Sequence, residues 1–295
     1  MGANRIHLAV AAVRAARSSA ARGGGRRRAL AVPVLAVVFA AALSGLGGCG
    51  TGPAGDRSPA AGGAGRSPAD GGPGNPTPVP TGPYAARLPR FPAAPVPEPV
   101  TVPDGPLAGW YSRIPTEQPV AFLTIDDGWI RKPEARQLLV DAHVPVTLFL
   151  TTNAVKDDPD FFRGLPDNVA IEAHTVTHQV LRGKSYRTQR REICGSADRL
   201  AAWYGRRPLL FRPPGGSRDD TTLRATRDCG LKAAFFWTET VDKGKVRYQT
   251  AEHRVHAGDI ILMHFRDRFV DDFTAALTAM HEAGLTPALL GDYLR

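Results

Sequence analysis

Residues 120–128 read Val120-Ala121-Phe122-Leu123-Thr124-Ile125-Asp126-Asp127-Gly128. Six residues, apolar except for Thr124, are the pattern of a strand buried on both faces. The strand runs straight into two adjacent carboxylates and a glycine. Neighbouring side chains diverge at a strand end, so one carboxylate can bind a metal while the other stays free as a base. Gly128 permits the tight turn that follows. Asp-Asp-Gly is also an ordinary turn sequence, so its meaning depends on what the rest of the chain brings to it.

Working outward, apolar periodicity predicts a helix over Lys132–His143, a strand over Pro145–Leu150 and a third strand over Asn168–Ala173. A helix follows over Tyr186–Tyr204, with Leu200, Trp203 and Tyr204 on its apolar stripe. Then come a short strand at Leu209–Phe211, a helix at Asp220–Cys229, strands at Ala233–Trp237 and Ile260–Met263, and a helix at Val270–Ala283. Strands alternating with helices predict an α/β fold with parallel strands. In parallel barrels the chemistry lies where strands end.

Three further strand ends carry reactive side chains. After the third strand comes His174-Thr175-Val176-Thr177-His178. Imidazoles four apart converge on one cation if the segment forms a helical turn, and zinc accepts two His and one carboxylate with a position open for water. The Thr hydroxyls are candidates to orient the rings. After the next strand comes Phe211-Arg212-Pro213-Pro214-Gly215-Gly216, where the prolines fix the backbone and the glycines allow close approach. Arg212 is placed either to orient a nearby carboxylate or to lie solvated in a surface turn. Ile260-Ile261-Leu262-Met263-His264 is an apolar run closing on a lone His.

In this order the four motifs resemble those of the polysaccharide deacetylase family of carbohydrate esterases, from Gln118 to the C-terminus. The resemblance implies a distorted (β/α) barrel and metal-dependent hydrolysis of N-acetyl groups on a glycan such as peptidoglycan or a chitin-like amino sugar. It implies Asp126 as general base, Asp127, His174 and His178 as ligands of a divalent metal, and Arg212 as the tether of the base. His264 matches the general acid, and Gly215, with Pro213 and Trp237, lies on the oxyanion and substrate side. Zinc is the first expectation for the metal, with cobalt, manganese, nickel or iron also accepted by the family. The chain departs from the family pattern in three places. Gly215 stands where the family has Tyr, Glu172-Ala173 precede the first His instead of Gly, and Phe236-Trp237-Thr238-Glu239-Thr240-Val241-Asp242 keeps only the first Trp of a further family motif between the third and the last. The carboxylate behind Arg212 is then Glu239 or Asp242. Two rival readings are an amide hydrolase of the same fold on a non-glycan substrate, and a catalytically weak glycan-binding wall protein.

Ahead of this region the chain changes character. Residues 1–48 carry seven Arg and no Asp, Glu or Lys, and Ala29–Leu46 is nearly all apolar, the layout of an export signal. Leu46-Gly47-Gly48-Cys49 resembles a bacterial lipobox, which implies acylation at Cys49 and anchoring to the outer face of the cell membrane. Residues 49–106 hold 15 of the 26 Pro and few large apolar side chains, and are read as a disordered linker ahead of a catalytic domain at 107–295. The formal charge of +9 falls to +2 without the seven signal arginines. A nucleic-acid partner therefore loses its support, and a monomer acting on a glycan is expected. Cys194 and Cys229 remain as a disulfide or as two buried thiols. His143, His253, His256 and His281 match no motif and are read as structural or surface residues.

Overall fold

The computed structural model describes residues 78–295. The expected signal peptide, Cys49 and the first part of the linker lie outside the described residues. Among those described, no helix is long and apolar enough to cross a membrane.

The fold is a distorted (β/α) barrel. Its strands are β1 (Gly109–Tyr111), β2 (Val120–Asp127), β3 (Val146–Leu150), β4 (Val169–Ala173), β5 (Leu210–Phe211), β6 (Ala233–Phe235), β7 (Glu239–Asp242), β8 (Lys245–Tyr248), β9 (Ile260–His264) and β10 (Thr286–Pro287). They follow the spatial order β1-β6-β5-β4-β3-β2-β9-β7-β8, with β10 beside the start of β2. All pair in parallel except the β7–β8 hairpin. Helices α1 (Pro133–Asp141), α2 (Thr152–Val155), α3 (Tyr186–Tyr204), α4 (Asp220–Asp228) and α5 (Phe269–Glu282) connect them. Helix α3 starts where the Ser185 side chain accepts the Thr188 N–H and stops at Gly205 in the left-handed region. A reciprocal capping box between Asp219 and Thr222 opens α4.

The period of two along each strand separates two cores. Ala121, Leu123 and Ile125 pack into the layer under the helices with Leu148, Leu150, Phe211, Ala234, Ile261 and Met263. Val120 and Phe122 point the other way, into the barrel, with Phe149, Leu210, Phe235 and Ile260. Continued to the strand ends, the inward parity falls on Thr124 and Asp126 of β2, His174 just past β4, Arg212 just past β5 and His264 of β9. Register levels these residues. Asp126 lies beside His264, and Asp127, Leu150, Ala173 and Phe211 share one row across β2, β3, β4 and β5. Strand alternation and register thus gather residues far apart in sequence at one rim.

The elements read from the sequence are present with ends shifted by a residue or two. The exceptions are short: β1, α2, β10 and the β7–β8 hairpin carry too few periodic residues to be read. One boundary differs. Residues 78–106, expected to be linker, lie against the domain. Leu88, Phe91 and Val102 are buried, Thr81 N–H bonds the Asp141 carbonyl, and Val100 bridges Leu294. The stretch is Pro-rich and mostly extended, so its composition resembles a spacer. Its few large apolar side chains nevertheless find partners, as Phe91 does edge-on against His281.

Cys194 on α3 and Cys229 at the end of α4 form a disulfide.

Candidate active site

Asp126 is almost fully buried, and its Oδ1 accepts a 2.8 Å hydrogen bond from Nη1 of Arg212, which has no exposed surface. The same Nη1 donates to Thr124 Oγ1 at 2.8 Å, and Nη2 donates to the Phe236 carbonyl at 3.1 Å. The guanidinium lies 4.4 Å from the centre of the Phe149 ring and 5.7 Å from that of Trp237. Burial pushes the Arg212 guanidinium below its ordinary pKa, and the Asp126 carboxylate acts against that shift. Neither carboxylate expected behind Arg212 is there. Asp242 pairs with Arg266 at 2.9 Å. Glu239 starts its strand at the opposite end of the barrel, in register with Ile261, and takes the Thr238 hydroxyl. A hydroxyl, a carbonyl and an aromatic face hold the arginine instead.

Asp127 follows Asp126, yet the two do not diverge as extended-strand neighbours would. Asp127 has φ 79°, in the left-handed region. His174 Nε2 is therefore 3.6 Å from Asp126 Oδ2 and 3.5 Å from Asp127 Oδ1, and His178 Nε2 is 3.1 Å from that same Asp127 oxygen. Gly128, at φ 96°, completes the turn, and a Cβ there would come within 2.7 Å of Val155.

Residues 174–178 are not a helical turn. Thr175 and His178 have φ 69° and 62°, and this bend brings the imidazole centres to 5.0 Å. Three of the six non-glycine residues with positive φ among the described residues are thus Asp127, Thr175 and His178. Such backbone persists only where the surroundings over-determine it. Here Thr175 Oγ1 accepts the His178 N–H at 3.0 Å, and the Thr151 hydroxyl donates to the His174 carbonyl at 3.0 Å. Glu192 reaches up from α3, and its Oε2 accepts the Val176 N–H, the Thr177 N–H and the Thr177 hydroxyl at 3.1, 2.8 and 3.0 Å.

The three side chains fit a divalent metal. Their ligand atoms lie within 4.8 Å of one another. Asp127 Oδ1 is buried and has no hydrogen-bond partner despite the two imidazole nitrogens beside it. This is the geometry of ligands crowded round a cation rather than of a hydrogen-bonded pair. His174 Nδ1 lies 2.7 Å from the Arg212 carbonyl. Donation to that carbonyl puts the proton on Nδ1 and leaves the Nε2 lone pair free to ligate. Burial would raise the Asp127 carboxyl, but the two imidazoles outweigh it and hold the group well below the usual carboxylate range. The Asp127 carboxylate 3.1 Å away raises His178 against the opposing effect of burial. Burial lowers His264, against the attraction of Asp126 and Asp127, so a proton placed there leaves readily.

The Gly215 backbone faces open space at φ 63°, while Gly216 lies under the Phe236 ring, 2.1 Å from where a Cβ would be. Phe236 stacks on Trp237 at 4.1 Å. Pro213 is buried beside them.

Sequence reasoning missed four positioning residues. Thr124 was legible, being a polar residue in a buried strand with the parity of Asp126. Phe149 and Glu192 left no local signal. Glu172 is buried, and its Oε2 accepts the N–H groups of Leu209 and Leu210, both at 2.8 Å, while Arg206 bonds Oε1 at 2.7 Å. Its carboxylate fixes the start of β5, two residues before Arg212. Burial raises its pKa, and Arg206 opposes the shift.

A polysaccharide deacetylase family model matches residues 113–234, which hold Asp126, Asp127, His174, His178 and Arg212. The chain is also 40% identical over 184 residues to the uncharacterized protein SCO4760 of Streptomyces coelicolor, over 60% of this chain and 74% of that one. The chain carries a polysaccharide deacetylase family domain. Within this family it is 26% identical over 193 residues to the peptidoglycan-N-acetylmuramic acid deacetylase PdaA of Bacillus subtilis, covering 60% and 72% of the two chains. Among solved structures, BA3943 of Bacillus anthracis, a CE4 family pseudoenzyme, superimposes with a TM-score of 0.56 at 21% identity over 63% of this chain and 70% of that one. At that identity the likeness is one of fold.

Proposed function

We propose that this deacetylase-family protein hydrolyses N-acetyl groups on the amino sugars of an extracytoplasmic glycan, peptidoglycan first among them, and releases acetate. The observation that carries the reading is the meeting of a buried Asp126–Arg212 pair with an Asp127, His174 and His178 ligand set and with His264 on the adjacent strand. A divalent metal held by Asp127, His174 and His178, zinc first and cobalt, manganese, nickel or iron as alternatives, would activate water and polarise the acetyl carbonyl.

The chain's own residues do the rest. Asp126 accepts the proton of the attacking water, with Arg212 fixing its carboxylate in place. The Gly215 N–H donates to the oxygen that gains charge as the carbonyl carbon becomes tetrahedral. His264 delivers a proton to the amine nitrogen as the C–N bond breaks, since an amine anion is a very poor leaving group. Pro213 and Trp237 shape the substrate side.

We assign the N-terminal region as an export signal over 1–48 with lipid attachment at Cys49, which would place the barrel outside the membrane as a monomer on a tether. Kinship to a peptidoglycan deacetylase supports that address.

Acetate release from peptidoglycan, chitooligosaccharide and acetylated xylan by zinc-loaded protein tests the activity. Asp126→Asn is expected to abolish turnover with metal retained, and His174→Ala to lower metal occupancy in elemental analysis. His264→Ala is expected to slow hydrolysis without displacing metal. Metal bound but no acetate from any substrate would favour glycan binding without catalysis.

A further inference from the structure

The outer face of α3 carries charge that the fold does not use. Residues 173–191 contain no Asp or Glu, and their last eight include Lys184, Arg187, Arg190 and Arg191. All four are exposed and make no ion pair or side-chain hydrogen bond among the described residues. Other surface arginines are paired, as Arg87 is with Asp271 and Arg266 with Asp242. The first carboxylate after the run, Glu192, is buried and takes the Val176 and Thr177 N–H groups.

The arrangement works against the helix. Arg187 lies three and four residues before Arg190 and Arg191, spacings at which like charges repel. The run opens the helix, where the macrodipole favours anions. The first turn of α3 holds no acidic residue, whereas α4 and α5 open on Asp220 and on Asp271 with Asp272. An external anion would relieve both strains. Helix spacing sets Arg187 and Arg191 in a row about one turn, roughly 5.4 Å, apart, facing away from the buried side at Gln189, Ile193, Ala197 and Leu200. The platform is rigid, because the Cys194–Cys229 disulfide ties α3 to α4. Arg224 of α4 lies 5.3 Å from the centre of the Tyr186 ring, and the Tyr186 hydroxyl donates to Asp228.

Resting on the extracytoplasmic address given above, we propose that this ridge docks a linear phosphodiester polymer of the cell envelope, a partner separate from the glycan that is hydrolysed. A row of guanidinium forks matches successive phosphate groups. A lipid surface fits less well, since Tyr186 is the one large apolar side chain exposed on α3 and it is engaged by α4. Nucleic acid fits less well for the same reason, since no free aromatic ring is left on the ridge to stack a base.

The test measures binding of the full chain to poly(glycerol phosphate), to single-stranded DNA of equal phosphate number and to phosphatidylglycerol vesicles. Three proteins are compared: wild type, a ridge variant (Arg187→Gln, Arg190→Gln and Arg191→Gln) and a hairpin variant (Lys243→Gln, Lys245→Gln and Arg247→Gln). The hairpin variant loses the same charge from β8 and the turn before it. Wild type should bind poly(glycerol phosphate) best. The ridge variant should lower the slope of log affinity against log salt by about 2, while the hairpin variant leaves it unchanged. Lys at all three ridge positions should recover most of the binding. Phenylglyoxal labelling read by mass spectrometry locates the contact independently of the arginines in residues 1–48: the polymer should protect Arg187, Arg190 and Arg191. Equal slopes for ridge variant and wild type, an equal loss in the hairpin variant, or no protection on the ridge would overturn the proposal. Tighter binding to DNA or to vesicles than to the polymer would overturn it as well. No arm requires turnover, so a failure to release acetate defeats the deacetylase reading without touching this one.

Discussion

Replacing Arg212 by methionine offers the sharpest test of how the interior is held. The change keeps most of the side-chain length but removes the guanidinium. Asp126, almost fully buried, then loses the 2.8 Å bond to Oδ1. The Phe236 carbonyl loses its 3.1 Å donor, and Thr124 keeps only its 2.7 Å bond to the Ile261 carbonyl. Breaking a buried ion pair from one side costs about 3–5 kcal/mol, because the remaining charge is left unpaired. For a domain of this size each kcal/mol shifts Tm by roughly 2–4 °C, so a fall of about 6–20 °C is expected. Neutralising the partner as well, in Asp126→Asn with Arg212→Met, removes the unpaired charge and should restore about 2 kcal/mol or more. Urea unfolding of all four proteins in EDTA, which removes metal linkage, yields the coupling energy. A loss below about 1 kcal/mol for Arg212→Met, or two substitutions that add within about 0.5 kcal/mol, would refute the claim that this pair organises the rim.

Other residues give independent checks. Glu192→Ala frees the three donors that pin the bend between His174 and His178, so zinc affinity by competition titration should fall about 10- to 100-fold, with Glu192→Gln between it and wild type; equal affinities would show that the bend holds itself. Burial pushes Glu239 up to about 8, with the Asp259 carboxylate adding to the shift. The folded state therefore binds the proton more tightly than the unfolded state, and this contribution, complete below the unfolded value, is lost as pH rises towards 8. Between pH 5 and 8 wild type should lose stability faster than Glu239→Gln, by up to about 1.4 kcal/mol per pH unit, and parallel stability curves would contradict it. Cys194→Ser with Cys229→Ser opens a cross-link of sequence separation 35 and should cost about 2–4 kcal/mol in urea unfolding; an unchanged midpoint would show that the packing of α3 on α4 suffices.

The barrel was legible because its long elements are strongly periodic. Tyr186–Tyr204 carries a cap at each end, and up to their ends β2, β3 and β9 are apolar runs broken only by Thr124 and Thr147. The reactive residues were legible because strand ends in parallel sheets expose whatever follows the run. What could not be read was anything decided by a backbone sign or by a distant partner. The convergence of His174 and His178 was expected from a helical turn and arises from left-handed residues, whose cost is met by Glu192 on a helix. Both candidates for the carboxylate behind Arg212 were sought in the Phe236–Asp242 stretch. Register carries Glu239 to the far end of the barrel, and Arg266 takes Asp242. Thr124, on the other hand, follows from parity alone once the inward face of β2 is known.

The neutral clamp on Arg212 has a consequence for the charge balance of the rim. Thr124, Phe149 and the Phe236 carbonyl hold the guanidinium without a second carboxylate, so its whole positive charge faces Asp126. That pair is neutral as a unit. Asp127 is then the single uncompensated anion beside two imidazoles, one of them fixed in its ligating tautomer by the Arg212 carbonyl. A divalent cation on those three ligands would leave the rim with one net positive charge. That surplus would act on His264, which burial already disposes to release a proton, and on an oxyanion at the Gly215 N–H in the proposed reaction. A carboxylate behind Arg212 would cancel the surplus. With a cation bound, neutral groups in its place would therefore strengthen both effects that the proposed amide hydrolysis needs: stabilising a developing negative oxygen and giving up a proton to the leaving nitrogen.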